Sequence, residues 1–87
     1  GPPDLVIEVR SPTTWGYDQG SKKQGYEAIG VPELWLVDPV GERVLVFRRT
    51  SPGVPTFDVT LEAGEGETLT TPIIPGFVLD VTALFDR

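Results

Sequence analysis

Glu8 is the residue whose position most needs a chemical explanation. It lies in the segment DLVIEV, among apolar residues that are typical of a buried strand. A carboxylate in such surroundings costs free energy unless it is paired, protonated or bound to a metal ion. Glu8 is therefore either a structural residue that pairs with Arg10 or with a neighbouring strand, or a ligand in a functional site.

Asp18, Lys22 and Tyr26 form a second group of candidates, because residues four apart lie on one face of a helix. A lysine beside a metal-bound carboxylate can position or deprotonate water, or stabilise charge that develops on a phosphate. The helix follows the Glu8 strand after one short loop, so we expect Lys22 to fold back towards Glu8. The same spacing also suits an ordinary surface ion pair between Asp18 and Lys22, with Tyr26 as a core aromatic residue.

Glu8 and Asp4 do not form a metal site together. They lie four residues apart in one strand, which separates their Cα atoms by about 13 Å. Oxygen ligands lie about 2.0–2.6 Å from a divalent cation, so one ion does not easily take both carboxylates. Glu8 needs a second carboxylate from another part of the fold.

The composition limits the chemistry that is open to the chain. Its 87 residues contain no histidine and no cysteine, so catalysis must use carboxylates, lysine, tyrosine or hydroxyl groups, and a metal would be bound through oxygen. The net charge of −6 counts against nucleic-acid binding, which needs a basic surface. The one basic cluster, Arg43, Arg48 and Arg49, favours either a surface patch or a contact for a polyanion.

Strand and helix patterns alternate along the chain. They predict strands over residues 4–10, 33–38, 43–49 and 56–63, a helix over 17–29, an irregular or edge strand over 67–76, and a strand with a helical turn over 77–85. The first two strands, joined through the helix, should be parallel with a right-handed crossover, and the third should return antiparallel after the turn DPVG. This order predicts an α/β domain with a mixed sheet and a β-rich tail.

The chain has no apolar run of about 18 residues and no signal-peptide pattern. We therefore expect no membrane span and a cytoplasmic location. The chain begins without methionine and almost directly with a core-type strand, which favours a fragment of a larger domain.

Four motifs follow one another in a specific order: PDLVIEVRSPTT, the D…K…Y spacing of the helix, GVPELWLVDP and PGFVLDVTALF. Together, over residues 3–85, they resemble the Uma2 (DUF820) family. That family is similar to a branch of the PD-(D/E)xK nuclease superfamily, whose fold is a mixed sheet flanked by helices. The superfamily's site uses an aspartate from one strand, a Glu-x-Lys from the next, and Mg²⁺ or a similar ion.

The resemblance implies a restriction endonuclease-like domain that hydrolyses DNA phosphodiester bonds with Mg²⁺ or Mn²⁺. Glu8 matches the glutamate of Glu-x-Lys and would be the metal ligand, whereas Arg10 occupies the lysine position of that motif. Lys22 matches a lysine that the family carries on the following helix, and would orient the attacking water or stabilise charge. By the same resemblance, Asp18, Tyr26 and Arg10 would support Glu8 and Lys22 without contacting the metal. Ser11 and Thr14 would contact the DNA backbone.

The resemblance also implies that the chain is the C-terminal half of the family's domain, because members carry an upstream acidic helix and a strand with the other aspartate. We expect an incomplete metal site, no activity in this chain alone, and an unpaired sheet edge that forms a homo-oligomer or strand-exchanged dimer. Two alternatives remain open: a catalytically inactive nuclease-fold scaffold for protein interactions, favoured by the charge of −6, and a regulatory domain that binds a metal through oxygen.

Overall fold

The computed structural model describes the backbone of residues 2–9 and 15–86, and the side chains of residues 2–9 and 20–86. The strands are β1 (Leu5–Val9), β2 (Glu33–Asp38), β3 (Arg43–Arg48), β4 (Val59–Ala63), β5 (Thr68–Thr70) and β6 (Val78–Asp80). The helices are α1 (Trp15–Ala28) and α2 (Val81–Phe85). None of the described helices is long and apolar enough to cross a membrane.

Four strands form a mixed sheet in the order β1-β2-β3-β4. β1 is parallel to β2, which is antiparallel to β3, and β3 is antiparallel to β4. β5 and β6 pair antiparallel in a separate small sheet. The predicted α/β class with a mixed sheet and a β-rich tail is confirmed.

The two central strands carry the core, because every residue of β2 is buried and β3 is buried except at its ends. Alternation along the strands gives the sheet two apolar faces. We call the first the helix face, since α1 packs on it; its buried residues are Leu34, Leu36, Leu45, Phe47 and Phe57. We call the second the tail face, since β5 and α2 pack on it; its buried residues are Trp35, Val37, Val44, Val46, Ala63, Leu69 and Val81.

The hairpin between β2 and β3 is held by Asp38, as the turn DPVG predicts. Its carboxylate accepts hydrogen bonds from the backbone N–H groups of Val40 (3.1 Å) and Gly41 (3.0 Å), and from Arg43 Nε (3.1 Å). Burial raises the pKa of Asp38, but the bonds from Gly41, Arg43 and Val40 outweigh it and leave that pKa below its ordinary value.

The ends of some elements differ from the sequence prediction. α1 begins two residues earlier and ends one residue earlier than expected, and Gly30 follows it with φ of 83°, the left-handed conformation of a helix C-terminus. β4 begins at Val59 because the preceding residues bond elsewhere: Phe57 N–H donates to Glu27, and Asp58 accepts from Thr50. Asp80 caps α2, and its carboxylate accepts hydrogen bonds from the backbone N–H groups of Thr82 and Ala83.

Candidate active site

Glu8 lies on the helix face of the sheet, next to α1. Alternation along β1 places it on the same side as Val6, which packs against the helix-face cluster. Tyr26, near the end of α1, packs against the same cluster. The hydroxyl of Tyr26 donates a hydrogen bond to Glu8 Oε1 at 2.5 Å. The fold therefore joins two of the predicted site residues in one contact.

Lys22 lies one helical turn before Tyr26, on the same face of α1, and is half-buried. Among the hydrogen bonds and ion pairs of the described residues, none joins Lys22 to Glu8. Its neighbour Lys23 has a different environment, because the ammonium group of Lys23 lies 5.4 Å from the centre of the Phe47 ring. The two adjacent lysines therefore differ in what they contact.

The remaining predicted site residues lie wholly or partly outside the described part of the chain. Arg10, Ser11 and Thr14 belong to the segment between β1 and α1 that the structure leaves out. Asp18 lies within the backbone of α1, but its side chain is not described. Their predicted roles stay predictions.

Glu8 fits one position in the coordination of a hard cation. Mg²⁺ is usually bound through one or two carboxylates together with water and substrate phosphate oxygens, so a single glutamate suits part of such a site. Within the described ranges, no three carboxylates lie close enough together to hold a metal ion. The described residues thus offer a ligand rather than a complete metal site.

A second strand carboxylate, Glu33, has partners that were not predicted from the sequence. It is fully buried at the start of β2, on the tail face. Its carboxylate accepts bonds from the indole N–H of Trp35 (2.6 Å) and from Arg48 Nε (2.6 Å) and Nη2 (3.3 Å). Arg48 is its register partner on β3 and also donates to the Thr70 carbonyl of β5 (3.0 Å). Glu33 therefore has a structural role. The sequence feature that predicts this pair is the equal spacing of Glu33 and Arg48 from the DPVG turn, which places them opposite each other in the hairpin.

The three arginines that suggested a surface patch each donate hydrogen bonds within the fold. Arg48 is paired with Glu33. Arg43 pairs with Asp38 at 3.1 Å and with Glu62 at 3.0 Å. These guanidinium groups therefore donate to partners of the same chain, and the predicted surface patch or polyanion contact stays a prediction.

Arg49 joins the end of α1 to the loop that follows β3. Its guanidinium donates to the carbonyl oxygens of Glu27 (2.7 Å), Val31 (3.1 Å) and Val54. It also lies 5.2 Å from the centre of the Phe57 ring. The carboxylate of Glu27 accepts from the Phe57 N–H at 2.8 Å, so the same loop is bound to α1 twice. This cluster fixes the part of α1 that carries Tyr26.

Comparisons with known proteins agree with this fold. A family model, Uma2, described as "Putative restriction endonuclease", matches residues 1–82. A crystal structure from Anabaena variabilis, described as a "putative nuclease belonging to DUF820", is similar with a TM-score of 0.72 and 24% sequence identity. The match covers 95% of this chain and 44% of that one, so the chain spans less than half the length of its structural neighbour. None of the curated proteins matches the chain.

Proposed function

Because the chain belongs to the Uma2 family, we propose that it forms part of a metal-dependent endonuclease that hydrolyses DNA phosphodiester bonds. The observation that carries the proposal is the position of Glu8, a strand carboxylate bonded to Tyr26 of the helix that also bears Lys22. The similarity in fold to a described nuclease supports the architecture.

In this proposal, Glu8 supplies one oxygen ligand to Mg²⁺ or Mn²⁺, and a bound divalent ion would contribute Lewis-acid stabilisation of the phosphate. Lys22 orients the attacking water, or offers its ammonium group to the negative charge that grows on the phosphate in the transition state. Asp18, one helical turn before Lys22, orients that ammonium group. Ser11 and Thr14 contact the DNA backbone, and Arg10, two residues after Glu8 in the sequence, supports the carboxylate.

The proposal is tested by cleavage of supercoiled plasmid DNA by the complete protein in Mg²⁺. We expect Glu8→Ala and Lys22→Ala each to lower the cleavage rate by at least about 100-fold, the size of effect typical when one stabilising group is removed. Lys23→Ala is the matched control, since it removes the neighbouring lysine, which lies over Phe47. Wild-type cleavage rates in folded Glu8→Ala and Lys22→Ala would show that the site is assigned wrongly.

A second candidate is a catalytically inactive nuclease-fold scaffold that assembles through β1. In the described part of the chain β1 is an end strand of the sheet, and the side chains of Ile7 and Val9 are 53% and 67% exposed. Such an edge offers unpaired backbone groups to a second copy of the chain. Sedimentation should then show a dimer that Ile7→Lys converts to monomer, and a monomeric wild-type chain would contradict this candidate.

A further inference from the structure

We propose that Tyr26 is a positioning residue whose hydroxyl holds the Glu8 carboxylate in one orientation. The inference deepens the proposed function, on which it rests only for its consequence in metal binding. Its basis is the position of Tyr26, whose ring packs against the helix-face cluster and whose hydroxyl donates to Glu8 on β1, an end strand of the described sheet.

The contact itself is short and directional. The Tyr26 hydroxyl lies 2.5 Å from Glu8 Oε1, at the short end of the range for hydroxyl bonds to an ionised carboxylate. Glu8 is half-buried, so water competes less for the bond than at an exposed site. The phenol is neutral, so this hydrogen bond orients the carboxylate without cancelling its negative charge.

The ring and backbone of Tyr26 are held by contacts other than the bond to Glu8. It packs against the helix-face cluster, and the backbone carbonyl of Tyr26 accepts a bond from Val31 N–H at 3.2 Å. Arg49 donates to the carbonyl groups of Glu27 and Val31 on either side of this bond. The hydroxyl is therefore held at the end of a planar side chain whose ring and backbone are both constrained.

Glu8, in contrast, lies on a strand that has one neighbour among the described residues. A glutamate side chain loses considerable rotamer freedom when it is held in one conformation. Carboxylates that bind metal ions are commonly held by such outer hydrogen bonds, and loss of the outer partner typically weakens metal binding by about 10- to 100-fold. The bond from Tyr26 would already hold Glu8 in one rotamer, so that a binding cation would not have to order the side chain.

The test compares the chain with Tyr26→Phe, which keeps the packed ring and removes only the hydroxyl. Thr50→Val is the matched control, because it removes another short hydroxyl-to-carboxylate bond, from Thr50 to Asp58 at 2.6 Å. Three-bond NMR couplings of the Glu8 side chain report its rotamers directly. We expect one rotamer in the wild type and in Thr50→Val, and averaged couplings in Tyr26→Phe.

Calorimetric titration of the complete protein with Mn²⁺ provides the second measurement. We expect about tenfold weaker binding in Tyr26→Phe, unchanged binding in Thr50→Val and the largest loss in Glu8→Gln. Averaged couplings in the wild type, or the same couplings in Tyr26→Phe, would overturn the inference. So would equal Mn²⁺ affinity in the wild type and Tyr26→Phe when Glu8→Gln binds more weakly. If Glu8→Gln binds Mn²⁺ as the wild type does, the proposed metal role fails, while the couplings still decide the role of Tyr26.

Discussion

Glu8 and Glu33 are both carboxylates in apolar strands, yet the fold treats them in opposite ways. Glu33 lies at the start of central strand β2, fully buried, with bonds from a guanidinium group and an indole. Glu8 lies on strand β1 at the end of the described sheet, half-buried, with a bond from a tyrosine hydroxyl. The two glutamates differ in burial and in partners because they occupy different positions in the sheet.

The difference lies in the charge and burial of the partners. A fully buried carboxylate needs a cationic partner and bonds to its oxygen atoms, and Arg48 and Trp35 supply both to Glu33. A half-buried carboxylate loses less solvation than a fully buried one, and the Tyr26 hydroxyl that donates to Glu8 is a neutral partner. Full burial with a cationic partner suits a structural role for Glu33, and half-burial is compatible with the cation binding that we propose for Glu8.

The largest effect should follow from removal of the Arg48 guanidinium. Arg48→Met leaves the Glu33 carboxylate buried without its cationic partner, which we expect to lower the free energy of unfolding by about 3–5 kcal/mol. Urea unfolding monitored by tryptophan fluorescence measures the change. The double variant Glu33→Leu with Arg48→Met should recover part of the loss, because it removes the unpaired charge but leaves the Trp35 indole N–H without its acceptor. A cost below about 1 kcal/mol for Arg48→Met alone would contradict a structural role for the pair.

A matched pair of neutral substitutions sharpens the comparison between the two glutamates. Glu33→Gln should lower the free energy of unfolding by about 1–3 kcal/mol, because its amide group cannot accept all the bonds that Glu33 accepts. Glu8→Gln should cost less than about 1 kcal/mol, since the amide oxygen still accepts from Tyr26. Chemical denaturation of both variants tests this order, and a Glu8→Gln cost as large as that of Glu33→Gln would remove the distinction.

The smallest effect concerns Asp38, a third carboxylate bonded to an arginine, at the opposite end of β2 from Glu33. Its pKa in the folded chain is below the ordinary value, so its contribution to stability is present above the unfolded pKa of about 3.9 and is lost as the pH falls through the folded pKa. Asp38→Asn should therefore cost less than about 1 kcal/mol at pH 7, given the partly exposed Arg43, and should reduce the loss of stability below about pH 4. Urea unfolding at pH 7 and pH 3 measures both, and an unchanged pH dependence would contradict it.

Most of the fold followed from local signals. The bounds of β2 agree with the prediction because Pro32 precedes the strand and the DPVG turn ends it. The start of α1 could not be located from sequence, because its glycines Gly16, Gly20 and Gly25 weaken helix propensity, and tertiary contacts decide such an end.

The candidate site was predicted less completely. Lys22 and Tyr26 share a helix face, so periodicity predicts that both face the sheet, but which side chain bonds to Glu8 depends on the distance between helix and sheet. The role of Glu33 was missed because its partner Arg48 becomes adjacent only when the hairpin closes. The register of a hairpin determines which residues lie opposite each other. Glu33 and Arg48 lie at matching distances from the DPVG turn, so their pairing could have been predicted.

The hairpin of β2 and β3 also determines the order in which the sheet can form. Its strands are close in sequence and need only the Asp38 turn, whereas β1 pairs with β2 only after the whole of α1 has been accommodated. Local pairs cost less loop-closure entropy, so the hairpin should dominate the folding transition state and β1 should join late. By the same reasoning, amide hydrogens of β1 should exchange with solvent faster than those of β2 and β3, so that the strand bearing Glu8 opens before the central hairpin.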